Sequence, residues 1–510
     1  MDFFNYFASL QATFDFTSYL LFIVFLSPLI TALILIGGFS WTSKIQYKFS
    51  LYSSVFSWIA SLFLWWVLEE SYAGFQSTYF FSIIPSFNFS VRLGIDGLSI
   101  FFILLTNLFI FLCILSLQST TTRLFEALLS LFILQWGVLG SFLFMDLLGF
   151  FLFFERTLIP IYFLVLLWGS RERRVRASYL ISIYTLLGSV FRFFNLLYLY
   201  SKTGTTDFDL LLQLTFTEYD QRFLWITFFF AFAAKIPLFP LHIWLPEAHV
   251  EAPTIGSVLL AVLLLKLGTY GLIRFSIPLF PEGTSFFAPI VSTFALVGVI
   301  YTCFTAIRQI DLKKIIAYSS VGHMNVVLLG IRAETTEALQ GAIFQRLSHG
   351  VVSGALFFCV GALYERYTVR SLKYYGGLAH FYPLFTRVFL LFSLANISFP
   401  LTSSFVGEFL IFIGLFRFSF WATLFASTSM VLGAVYTLWT FNRIFFGNFN
   451  VFSVTTYQDL TRKEAYRFGI LIVFLFIMGL YPSIILNSFA LDSIYLLSTS
   501  SLYTIKLFLY

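Results

Sequence analysis

The chain has 510 residues, of which 59% are hydrophobic and 11% charged, with a formal net charge of +6. A soluble domain carries about 25% charged residues, so this chain lacks the charge to coat a water-facing surface. Apolar stretches recur along its whole length, which excludes a soluble enzyme on a single anchor and assigns the surplus Lys and Arg to membrane-flanking loops, not nucleic acid.

The opening, Met1–Phe16, has no basic residue and no small-residue cleavage site, so it does not read as a cleavable signal. A spanning helix needs about 20 mostly apolar residues. Apolar runs predict spans at 18–38, 51–70, 98–117, 125–143, 146–168, 178–199 and 223–240. Further spans follow at 254–275, 286–306, 312–331, 338–361, 384–416, 419–446 and 466–487, about 14 in all. Ser488–Tyr510 reads as a short interfacial tail. The expectation is an all-α polytopic membrane protein, with 1–510 as one transmembrane domain.

The charges check this count. Loops after odd-numbered spans carry Lys44 and Lys48; Arg123; Arg171, Arg173, Arg174 and Arg176; and Arg308, Lys313 and Lys314. Arg366, Arg370 and Lys373 follow, then Arg443, Arg462, Lys463 and Arg467. Loops after even-numbered spans are neutral or acidic, as at Asp207–Asp209, Glu218–Asp220 and Glu334–Glu337. The basic side should face the matrix or cytoplasm, with both termini opposite.

Two spans are interrupted. Lys235-Ile236-Pro237-Leu238-Phe239-Pro240 breaks the seventh, and Asn396-Ile397-Ser398-Phe399-Pro400 breaks the twelfth. They stand five spans apart, and five is odd. Paired breaks so placed predict two inverted five-helix repeats, 125–275 and 286–446; the plain alternative is that membrane helices tolerate proline.

An ionised group in mid-membrane is costly unless paired or hydrated. Glu155, Lys235, Lys266 and Glu408 lie well inside apolar runs, with His323 and His349 in the same region. Such a set predicts a relay of titratable stations, against a reading as structural ion pairs. Cys113, Cys303 and Cys359 fall in apolar segments without ligand spacing, and the five histidines are dispersed, so neither a metal site nor a bound cofactor is expected.

The segment Phe232–Gly271, with Lys235-Ile236-Pro237, His242–Pro253 and Leu265-Lys266-Leu267-Gly268, resembles the antiporter-like subunits of respiratory complex I. So do Phe154–Pro160, Asp311–Ser320, Ser348-His349-Gly350, Ser403–Leu410 and Leu438–Arg443, and the likeness covers about Leu93 to Pro482. A Glu at 408 points to one of the three antiporter-like members, the other two usually having Lys there. The resemblance implies that Glu155 pairs with Lys235, that Lys266 is the central relay and Glu408 its terminal station, with His323 and His349 between. It implies no cofactor on this chain, flavin, iron–sulfur clusters and quinone being carried by other subunits. It also implies neighbouring antiporter-like and other membrane-arm subunits as partners, and surrounding lipids such as cardiolipin. Asp96 fits a structural turn of the family. His242, His249 and Glu251 are expected to satisfy broken-helix ends. Arg156, Arg192 and Arg346 depart from the family, which carries apolar residues there; lipid headgroups or a lineage-specific subunit are open readings. The 71 phenylalanines suggest an organelle gene with strong base bias, hence the mitochondrial inner membrane. Three functions stay open: a proton-translocating complex I subunit, a subunit of a multisubunit sodium/proton antiporter, and a scaffold whose buried charges merely pair.

Overall fold

The structure, a computed structural model, describes residues 16–84, 89–118, 121–448 and 459–507. It is dominated by helices, as an apolar chain in lipid must be, because backbone polar groups find no water there and pair within each helix. Along the chain come α1 (Phe16–Gly37), α2 (Ser43–Val67), α3 (Gly97–Ser116), α4 (Leu124–Leu143), α5 (Leu147–Trp168) and α6 (Arg174–Thr203). A short α7 (Phe208–Gln213) leads to α8 (Glu218–Lys235), α9 (Trp244–Glu251) and α10 (Thr254–Leu279). Then follow α11 (Pro281–Arg308), α12 (Leu312–Arg332), α13 (Thr336–Tyr367), α14 (Pro383–Asn396) and α15 (Ser403–Phe418). The last are α16 (Phe420–Phe445), α17 (Arg462–Leu480) and α18 (Ser483–Leu507).

Among the described residues, 11 helices are long and apolar enough to cross a membrane, or up to 12 if the bent pair α17–α18 is one span. The expected count of about 14 is not confirmed. Both interrupted spans account for part of the difference. α8 carries Glu218, Asp220, Arg222 and Lys235, and α14 and α15 are separate pieces of 14 and 16 residues.

Burial is graded. In α10 and α13 94% of the span is enclosed, against 33% in α2 and α16, so α10 and α13 form the axis of the bundle. α10 is also irregular, with wide π turns at Leu260–Leu264 and Leu272–Ser276. Such turns loosen the backbone ladder and leave carbonyls for side chains to use.

Both breaks have the same local form. α8 ends at Lys235 with Ile236 at φ −74°, ψ −3°, and Leu238 N–H then donates to Ala233 O at 3.3 Å. α14 ends at Asn396 with Ile397 at φ −82°, ψ −6°, and Phe399 N–H donates to Leu394 O at 3.1 Å. α5 is interrupted at Thr157, just before Pro160, whose missing N–H cannot continue the ladder.

Two features were not foreseen. A β-hairpin pairs β1 (Gln76–Ile84) with β2 (Phe89–Ile95), antiparallel, in register at Tyr79–Leu93 and Phe81–Val91. It leads into Asp96, which caps α3 in a reciprocal box with Ser99 and pairs with Arg274, the structural role expected for it. The predicted last span also needs correction, and most of the tail read as interfacial is helical. α17 stops at Leu480, the chain bends by 63° at Tyr481-Pro482, and α18 packs against α3 and α13. The contact is close: a Cβ on Gly97 would lie 1.7 Å from the Ser488 carbonyl oxygen. Residues 508–510 of that tail lie outside the described residues.

Candidate functional site

Lys266 follows the first π turn of α10 and is completely buried. Its Nζ lies 2.7 Å from Ala261 O, five residues back, and 2.9 Å from His349 Nδ1 on α13. If the ammonium donates to Nδ1, the ring carries its own proton on Nε2, which is buried without a protein partner. The His349 ring centroid lies 5.8 Å from that of His323 on α12, a gap that one water can bridge. His323 Nδ1 is 2.7 Å from Glu408 Oε1 on α15, and Gln345 Nε2 donates to the same oxygen at 3.0 Å. Lys266, His349, His323 and Glu408 therefore form one chain of near neighbours across four helices. Ser348 adds a polar contact to Ser403 at 2.8 Å and Ser404 at 3.1 Å, where α15 restarts after the break.

The other end differs from expectation. Glu155 forms its ion pair with Arg192 on α6, Oε1 to Nη2 at 2.5 Å, and not with Lys235. Arg192 is 1% exposed, and Lys235 Nζ is buried with no hydrogen-bonding partner. Geometry explains this: both cations approach the ring of Phe154, and the guanidinium reaches the carboxylate beside it. The end of α8 sits directly on α10, where a Cβ on Gly268 would lie 3.1 Å from Lys235 Cβ. The lipid reading fails for Arg192 and Arg346, which turn inward. Arg346 is fully buried, donates to Lys266 O at 3.1 Å and lies over Phe102. Arg156 alone of the three faces outward, its Cζ 3.8 Å from the Trp136 ring in a groove of about 910 Å³.

The broken-helix ends are satisfied mostly by other residues than the three expected. Trp244 Nε1 donates to Ala234 O at 2.9 Å, Lys313 Nζ to Ala252 O at 2.7 Å, and Arg370 to Val250 O. Lys313 and Arg370 are thus buried helix caps, not solvent-facing loop charges. His242 packs against the rings of Phe239 and Tyr301, at 5.7 and 5.5 Å between centroids, and its Nδ1 has no hydrogen-bonding partner. His249 does not act as a cap: it lies flat on Phe357 at 4.5 Å, and neither ring nitrogen has a partner. Glu251 keeps Oε2 unpartnered. The long donors win because a helix C-terminus offers carbonyls, which a carboxylate cannot bind and a stacked ring does not reach.

Gln345 was missed in the sequence. Its signal was available, since it lies one helical turn before His349 on the same face. Among the described residues, no group of three or more His, Cys, Asp or Glu stands together as a metal-ligand set.

Comparison with known proteins bears directly on this arrangement. The family described as "NADH:quinone oxidoreductase/Mrp antiporter, TM" matches residues 145–433, which include every one of these stations. The NADH-ubiquinone oxidoreductase chain 4 of Chondrus crispus is 46% identical over 477 residues, 93% of this chain and 97% of that one. A chain of respiratory complex I from Thermus thermophilus superposes with a TM-score of 0.84 at 30% identity, covering 94% of this chain and 99% of that one. A chain of the Mrp complex from Dietzia sp. DQ12-45-1b gives 0.83 at 20% identity, covering 96% and 99%, a likeness of fold alone.

Proposed function

The chain belongs to the NADH:quinone oxidoreductase/Mrp antiporter family, as an antiporter-like complex I subunit of the chain 4 group, and on that premise we propose how it works. It moves protons through Lys235, Lys266, His349, His323 and Glu408, with Glu155 at the first end, driven by quinone reduction elsewhere in the complex. The observation that carries this reading is the continuity from Lys266 Nζ through both histidines to Glu408. Charges buried for stability alone pair off locally, whereas this series leaves His349 Nε2 unpartnered, with the His323 ring centroid 5.8 Å from that of His349. The subunit's part in the enzyme is thus non-redox. It takes its place among other membrane-arm subunits in the mitochondrial inner membrane, surrounded by lipids such as cardiolipin, and the redox groups lie in its partners.

The halves 125–275 and 286–446 are inverted repeats on this reading. The matching dihedrals at Ile236 and Ile397, and the matching wide-turn hydrogen bonds after them, support it.

The test is isolation of the intact assembly from its native membrane. The expected result is an NADH-oxidising, quinone-reducing complex with flavin and iron–sulfur clusters. Sodium-dependent proton exchange without NADH oxidation would instead select the antiporter reading.

A further inference from the structure

Phe154 has two basic side chains against its ring and one carboxylate beside it. Arg192 Cζ lies 3.8 Å from the ring centroid and Lys235 Nζ 4.2 Å. Phe150, Phe151 and Phe232 close around the guanidinium at 5.6, 5.0 and 5.7 Å. Inside that apolar cage the hydrogen-bonding partner of Arg192 is Glu155 Oε1; its Nε and Nη1 have none. The charged groups facing Lys235 are Glu155 on α5 and Arg192 on α6.

One carboxylate neutralises one cation, and a second cation left unpaired in such surroundings is strongly disfavoured. A guanidinium does not give up its proton in a protein, whereas a lysine does. Glu155 therefore stays ionised against Arg192, and the group free to gain and lose a proton is Lys235.

We propose that Arg192 fixes Glu155 as a permanent counter-charge, so that Lys235 alone carries the proton at this end of the chain, with both cations lying against the Phe154 ring. Arg192 is a positioning residue in this scheme. The step is a proton transfer and nothing else: the Lys235 ammonium releases its proton to the next acceptor and is reprotonated from the supply side. Glu155 and Arg192 keep their charges throughout. The proposal rests on the relay reading above and sharpens it at one station.

The test uses variants of the assembled complex in sealed membranes, with proton pumping and redox turnover both recorded. Glu155→Gln leaves Arg192 as an unpaired cation beside Lys235 and should lower pumping about tenfold or more. Adding Arg192→Gln removes that cation, so the double variant should recover most of the loss. A double variant no better than Glu155→Gln would overturn the proposal, because Glu155 would then be titrating itself. If the double variant does not assemble, Arg192→Lys decides the matter. It puts a second titratable cation on the ring and should change the pH profile of pumping, and an unchanged profile overturns the proposal. Lys266→Met measured alongside separates the two claims. Normal pumping there would mean that the relay reading had failed, whatever happens at Arg192.

Discussion

Glu408 gathers two contacts on one oxygen, His323 Nδ1 at 2.7 Å and Gln345 Nε2 at 3.0 Å, while 3% exposed. An amide in its place keeps the shape but cannot cycle a proton with the imidazole. Glu408→Gln should therefore assemble normally and lower proton pumping about tenfold or more, read as dye quenching in sealed vesicles. Pumping at the parental level would show that the proton leaves the chain before Glu408. Which residues these were could be read from the sequence, because a charge inside an apolar run has few bland explanations. Who pairs with whom could not. Glu155 lies within reach of cations from two helices, and the choice of Arg192 over Lys235 depends on how α6 and α8 pack around Phe154. Gln345 escaped notice because a neutral amide in a membrane helix does not stand out as a charge does.

At the scale of elements, the breaks after Lys235 and Asn396 were legible because proline and small polar residues interrupt otherwise apolar runs. The hairpin was not, since Gln76–Ile84 and Phe89–Ile95 offer aromatic and β-branched residues that serve a strand or a buried helix equally. The docking of α18 was also hidden, because nothing local in its apolar sequence specifies a contact with α3. The tight point of that docking is Gly97, where any side chain meets the Ser488 backbone. Gly97→Ala should force the two helices apart at a cost of about 1–3 kcal/mol, seen as a lowered melting temperature of the complex. An unchanged melt would mean that α18 does not hold this position in the assembly.

For the whole molecule, the periodic charge of the loops predicts an orientation but does not fix the number of spans. Breaks divide spans into pieces too short or too polar to be counted one by one, which is why about 14 apolar runs become, among the described residues, 11 or 12 helices long and apolar enough to cross a membrane. Orientation can be checked with single exposed cysteines, since Cys113, Cys303 and Cys359 are all buried. Ser170→Cys, beside the arginine cluster, should react only with a reagent on the matrix or cytoplasmic side, and Thr215→Cys only with one on the opposite side. Reaction of both from one side would break the topology. The claim that the buried chain conducts protons has a still more direct test at its centre. Lys266 touches both the π-turn carbonyl of Ala261 and the first histidine, and methionine matches its bulk without a titratable group. The measurement is the proton-to-electron stoichiometry of the Lys266→Met complex in coupled vesicles. The account predicts normal assembly with reduced pumping, and reduced redox turnover because a coupled machine cannot run with one element locked. Full turnover at the parental stoichiometry would contradict it and leave these charges as a scaffold.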